Sequence, residues 1–272
     1  MEDMTLLASM VAILLVVGAF AGILAGLLGV GGGLILVTAF FYVFRALGFD
    51  SPQLMQLCLG TSLATIIVTS LRSVAAHNKK DAVDWPILKA WALGIAVGAT
   101  VGVVVAASLR SETLQAIFGI LAITVGLYMA FGREEWRLGD HMPRGIKRAV
   151  LAPVMGFLSV LMGIGGGSFG VPVMTLYGVP IHRAVATAAG FGVLIAVPSV
   201  IGFLTFEIAN APPFTVGAVN LVAFGLVVSM TYLTAPLGAA LAHRMDPVPL
   251  RRVFAGFLIL VALNMLRKAV GW

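Results

Sequence analysis

A glycine cluster interrupts strongly apolar sequence twice in this chain, and that doubled break narrows the folds open to it. The first copy is Gly29-Val30-Gly31-Gly32-Gly33, set between Ala19–Leu28 and Leu34–Phe44. The second is Gly163-Ile164-Gly165-Gly166-Gly167, set between Val150–Met162 and Ser168–Tyr177. Three consecutive glycines end a helix, because each costs about 1 kcal/mol relative to alanine in a helix interior. In lipid, backbone freed by such a break must be satisfied by neighbouring protein or by a water-filled cavity. Broken helices at corresponding positions in the two halves of a membrane protein point to a transporter's binding site.

Composition supports the membrane setting. The 272 residues are 60% hydrophobic and 10% charged, with a mean hydropathy of +1.08; soluble domains carry roughly 25% charged residues. Apolar runs on the scale of the ~18 residues that span a bilayer recur along the chain. They are Thr5–Leu28, Leu54–Leu71, Ile87–Leu109, Leu114–Phe131, Ala184–Phe206, Val216–Ala242 and Val253–Leu266. The expected fold is all-α, a polytopic membrane protein of about eight to ten helical segments. Glu2 and Asp3 stand where a secretory signal would place basic residues, so no cleaved signal is expected. Cys58 is the lone cysteine, which excludes a disulfide framework and a cysteine-based metal site. The net charge of +6 lies in loops between apolar runs. There it reads as a topology signal beside anionic lipid and not as a nucleic-acid surface.

The halves align beyond the glycines. Leu59-Gly60-Thr61 falls on Val185-Ala186-Thr187, and Gly102, Leu114 and Phe118 fall on Gly238, Leu250 and Phe254. The expected organisation is a first repeat over 1–132, a basic linker over 133–148 and a second repeat over 149–272. Each repeat opens with a glycine-broken helical pair followed by three spanning helices. If each break reverses the chain, thirteen of the 17 basic residues share one side, Arg72, Lys79, Lys80, Arg137, Arg144 and Arg183 among them. Arg45, Arg110, Arg267 and Lys268 then lie opposite. That bias favours a cytoplasmic linker, outside termini and repeats of inverted topology.

Helices that restart at Leu34 and Ser168 aim free N–H groups and positive dipole ends at the space between the halves. This places a small anion against Gly31, Gly32, Gly33 and Leu34 in one half. Gly165, Gly166, Gly167 and Ser168 face it from the other. Tight helix packing accounts for Gly22/Gly26 and Gly98/Gly102 but poorly for a five-residue cluster. Thr61, Thr65, Thr69 and Arg72 recur at helical spacing on one face, with Ser62 beside them. A hydroxyl face ending in a guanidinium suits an oxyanion; equally, Arg72 suits a snorkelling residue and the hydroxyls suit bonds to their own helix. Thr187 joins the candidates as the counterpart of Thr61.

Several segments resemble the sulfite exporter TauE/SafE family of bacterial permeases. They are Gly26–Leu34, Leu59-Gly60-Thr61-Ser62, Val83-Asp84-Trp85 and Gly163–Pro172, in that order. Two positions depart from an even duplication: Thr38 stands opposite Pro172, and Ala188 stands where a serine would follow Thr187. The resemblance implies export of small anions, notably sulfite and organosulfonates, across the bacterial inner membrane. The implied partners are a small anionic substrate and membrane lipids. A proton or sodium coupling ion and the oligomeric state are left open. No cofactor, metal cluster or catalytic constellation is legible, so enzymatic activity is not expected. A channel for another small anion and a non-transporting scaffold remain alternatives, while a cation carrier would call for buried carboxylates.

Overall fold

The computed structural model describes residues 2–28, 32–132, 136–242 and 247–269. Ten helices account for most of them, as the apolar periodicity predicts. In chain order these are α1 (Glu2–Leu28), α2 (Gly33–Ala46), α3 (Leu54–Asn78), α4 (Trp85–Ser108) and α5 (Ser111–Phe131). Beyond the linker come α6 (Gly145–Leu161), α7 (Gly167–Leu176), α8 (Ile181–Phe203), α9 (Leu221–Ala242) and α10 (Pro247–Ala269). The described strands, β1 (Thr215–Val216) and β2 (Val219–Asn220), form a small antiparallel hairpin between α8 and α9. By length and composition α3, α4, α5 and α8 suffice to cross a membrane. α6 begins inside the stretch expected to be linker, at Gly145.

The restarted helices begin one residue earlier than Leu34 and Ser168, at Gly33 and Gly167. They are short, with 14 residues in α2 and 10 in α7, so at 1.5 Å per residue they rise roughly 21 and 15 Å. Neither matches the ~30 Å hydrocarbon core. Gly32 precedes α2 with φ at +68°, the left-handed region, and Gly163 closes α6 with φ at +60°. A side chain at either position would strain the turn.

Helix pairing follows one pattern throughout. α1 packs along α9 and α4 along α6, while α5 pairs with α10 and α3 with α8. Counting helices from the start of each half, the first two pairs exchange and the last two map onto themselves. Small residues set the first two contacts. Gly18 and Gly22 of α1 lie against Val227, Met230 and Thr231 of α9. Gly94, Gly98 and Gly102 of α4 lie against Ala152, Pro153, Phe157 and Val160 of α6.

The capping bonds at α4 and α9 also exchange. Asp84 caps α4 by accepting from Ile87 N–H at 3.1 Å, and Asn220 caps α9 by accepting from Ala223 N–H at 2.9 Å. Asp84 N–H in turn donates to Thr187 Oγ1 on α8 at 2.9 Å, and Asn220 N–H donates to Thr61 Oγ1 on α3 at 3.0 Å.

α3 and α8 form the buried centre, and α4 and α5 are buried over less than half of their apolar windows. Along α4 the two faces separate cleanly: the glycines meet α6, while Leu93, Val97, Val101 and Val104 are exposed. Val253, Phe257, Leu260 and Leu263 expose a similar stripe on α10. Contiguous apolar surface of this extent belongs in lipid.

Candidate functional site

The two glycine breaks meet. A methyl group on Gly33 would stand 2.8 Å from the Gly163 carbonyl oxygen and 3.0 Å from Ile164 Cα, so the absence of a side chain permits the contact. Ser62 stitches it from α3. Its hydroxyl lies 2.7 Å from the Gly163 carbonyl and 3.5 Å from that of Gly33. The Gly163 carbonyl lies beyond the end of α6, where no intrahelical donor reaches it, and the Ser62 hydroxyl takes that place; the Gly33 carbonyl, in the first turn of α2, is the more distant neighbour. Gly29, Val30 and Gly31 lie outside the described residues, and the expectation for Gly31 goes with them.

The second break has more polar surroundings than the first. Gly165 and Gly166 pack on α8, where a side chain on Gly166 would collide with the Ala188 carbonyl and with Phe191. Ser70 of α3 places its hydroxyl beside Gly192, 3.9 Å from where a Gly165 methyl would sit. Ser168, in the first turn of α7, is only 4% exposed, and its hydroxyl has no hydrogen-bond partner. Ser159 of α6, four residues before the break, is fully buried and equally unpartnered. An unsatisfied buried hydroxyl costs about 1–3 kcal/mol, and both of these hydroxyls flank the same glycine break. At the first break Leu34 occupies the position of Ser168 and is buried apolar surface.

The hydroxyl stripe of α3 has the expected spacing, but its bonds are already formed. Thr65 donates to the Ser62 carbonyl at 2.6 Å and Thr69 to the Thr65 carbonyl at 3.1 Å. Thr61 and Thr187 accept the α9 and α4 capping bonds described above. Arg72 lies at the exposed end of α3, with its guanidinium 3.3 Å from the centre of the Tyr232 ring and donating to the Tyr232 carbonyl at 3.0 Å. This is the geometry of a residue that ties α3 to α9 at the bundle edge. Asn264 likewise bridges helices, donating to Tyr42 Oη at 2.7 Å. The structure therefore brings Gly33, Ser62, Gly165, Gly166, Gly167 and Ser168 together, leaves Arg72 apart, and adds Ser159 and Ser70. A serine within a run as apolar as Val150–Met162 was the available sequence signal for Ser159.

Broken helices that meet inside a bundle with lipid-compatible outer faces define a multi-pass membrane protein of the transporter class. The chain belongs to the sulfite exporter TauE/SafE family, whose model matches residues 14–265. A probable membrane transporter protein of Haemophilus influenzae is 30% identical over 256 residues, covering 93% of this chain and 97% of the relative. Another, from Methanocaldococcus jannaschii, is 27% identical, with 93% and 94% covered. The probable membrane transporter protein YunE of Bacillus subtilis is 28% identical, with 95% and 98% covered. No solved structure matches the chain.

Proposed function

We propose that the chain is a secondary transporter that exports small sulfur oxyanions, such as sulfite or an organosulfonate, across the bacterial inner membrane. The carrying observation is the meeting of the glycine breaks, with the unpartnered buried hydroxyls of Ser159 and Ser168 flanking the second one. Gly32, Gly33 and Leu34 form one wall of the site and Gly165, Gly166, Gly167 and Ser168 the other, with Ser62 between them. The start of α7 offers free N–H groups and a positive dipole end to the anion, and Ser168 adds a neutral donor. Family membership supports the sulfur oxyanion as cargo. Thr61 and Thr187 tie the supporting helices to their neighbours, and Thr65 bonds within its own helix. Arg72 acts outside the site.

Transport by alternating access requires the Gly33–Gly163 contact to part on one side and then on the other. Two repeats of inverted topology, 1–132 and 149–272 about the linker 133–148, supply the symmetry for that exchange. The short rises of α2 and α7 support breaks that turn the chain back within the membrane. Cysteines replacing Arg137 in the linker and Glu207 beyond α8 should then label from opposite sides of the membrane. Labelling of both from one side would contradict the inverted arrangement.

Ser168→Ala tests the site directly. Removing an unsatisfied hydroxyl should leave the melting temperature unchanged or raise it, because the orphan's desolvation cost of about 1–3 kcal/mol disappears. The apparent affinity for sulfite should fall by roughly ten-fold, the loss of one hydrogen bond worth ~1.4 kcal/mol. A variant with unaltered sulfite affinity would remove Ser168 from the site.

A further inference from the structure

A cavity of about 410 Å³ opens on the linker face, away from the glycine breaks. Its walls include Asp84 just before α4, Trp91 of α4, Asp140 of the linker, Arg144 just before α6, Arg148 of α6 and Arg183 of α8. The linker is fixed over it, since Leu138 N–H donates to the Leu176 carbonyl at 2.7 Å and Gly139 rests on Tyr177. The first turns of three helices, α4, α6 and α8, line the same space. Asp84 caps α4, but no side chain caps α6 or α8. Two helix starts therefore present open N–H groups, each with a partial positive charge of about half a unit.

The side-chain charges point the same way. Asp84 is committed to the α4 cap and to Arg183, whose Nη2 stands 3.3 Å from its Oδ2. Among the described residues neither Arg144 nor Arg148 has a carboxylate partner, and only Asp140 opposes them within the cavity. Two guanidinium groups without a carboxylate partner among the described residues line the same cavity as two uncapped helix starts, a combination that suits the charge of a tetrahedral oxyanion.

We propose that this cavity is an oxyanion-binding site for a phosphate, sulfate or sulfonate group, separate from the glycine breaks. The floor explains the separation. Trp91 is 1% exposed and its ring lies 6.3 Å from that of Phe191. Phe191 in turn packs over Gly166 and Gly170. This aromatic pair stands between the cavity and the second break. Binding here does not depend on what the breaks carry.

The test uses the purified full chain in uncharged detergent, titrated with sodium sulfate or inorganic phosphate against sodium chloride at matched ionic strength. Thermal stability is the readout. Wild type should be stabilised saturably by sulfate or phosphate beyond any effect of chloride. Arg144→Gln/Arg148→Gln should raise the half-saturating concentration by about ten-fold or more, whereas Ser168→Ala should leave it unchanged. A second arm uses nanodiscs of phosphatidylcholine with or without phosphatidylglycerol. If phosphatidylglycerol suppresses the sulfate response, the bound group is a lipid headgroup; if it does not, the ligand is a soluble anion, and both results support the site. Identical curves for wild type and the double variant, or chloride acting as well as sulfate, would overturn it. Loss of the response in Ser168→Ala alone would also overturn it, by placing the anion at the breaks and leaving the transport proposal standing.

Discussion

Gly98→Leu is expected to leave little folded protein in the membrane. A Cβ at this position would fall on the Pro153 carbonyl oxygen, with Pro153 Cα only 2.6 Å away. Both are backbone atoms, so no rotamer change can relieve the contact and α4 must separate from α6. Gly94 and Gly102 also lie close against α6 one turn to either side, though less tightly, so the seam would open along its length. Overpacking ordinarily costs about 1–3 kcal/mol; parting two helix backbones should exceed that range. The loss should appear as a collapse of the monodisperse peak in fluorescence-detected size exclusion. Gly225 provides the control, because no atom lies within 4 Å of the Cβ it lacks. Gly225→Ala should be neutral or stabilising by roughly 0.5–1 kcal/mol. Equal behaviour of the two variants would mean that glycine packing does not hold α4 to α6.

Gly166→Leu is expected to abolish sulfite flux. Its backbone is ordinary, with φ at −66°, so the constraint is space and not conformation. Its missing side chain would strike the Ala188 carbonyl and Phe191, and the Gly192 nitrogen would lie 2.9 Å away. Any substitution drives the start of α7 off α8 and displaces Ser168 with it. A misplacement of about 1 Å at a reacting or binding group can cost 100-fold, and at least that loss is expected here. Gly33→Ala is the milder companion. Its methyl would meet Gly163 O at 2.8 Å and Ile164 Cα at 3.0 Å, both backbone atoms, so the two breaks must shift apart to admit it. It should stay folded, yet hamper the parting of the breaks. Wild-type flux in both variants, at matched protein levels, would remove the glycine breaks from the transport path.

The all-helical character and the position of the breaks were legible because glycine runs and apolar periodicity act locally. The helix restarts were read one residue late: Gly33 and Gly167 already have helical partners, although a glycine would be expected to remain outside. The spacing of Thr61, Thr65 and Thr69 correctly placed them on one helix. Spacing alone does not reveal whether a hydroxyl bonds to its own carbonyls, as those of Thr65 and Thr69 do.

The rest depended on residues far apart in the chain. The exchange of capping bonds, Asp84 with Thr187 and Asn220 with Thr61, joins positions that no local window compares. Ser159 looked like one serine in an apolar helix until its hydroxyl proved buried and unpartnered. The linker-face cavity assembles from residues near 84, 144 and 180 in the chain, and its arginines read in sequence only as topology signals. Arg72 illustrates the converse. Its spacing suggested a pathway residue, and its ring contact with Tyr232 places it at the bundle edge.

Sulfite counterflow into liposomes bearing the purified protein is the most direct test of an oxyanion carried at the meeting of the breaks. The expected result is saturable uptake of labelled sulfite above that of protein-free liposomes. Sulfonates should compete with it, and cations of similar size should not. Flux of cations without sulfite, or no sulfite flux from protein that remains folded in the bilayer, would contradict the account.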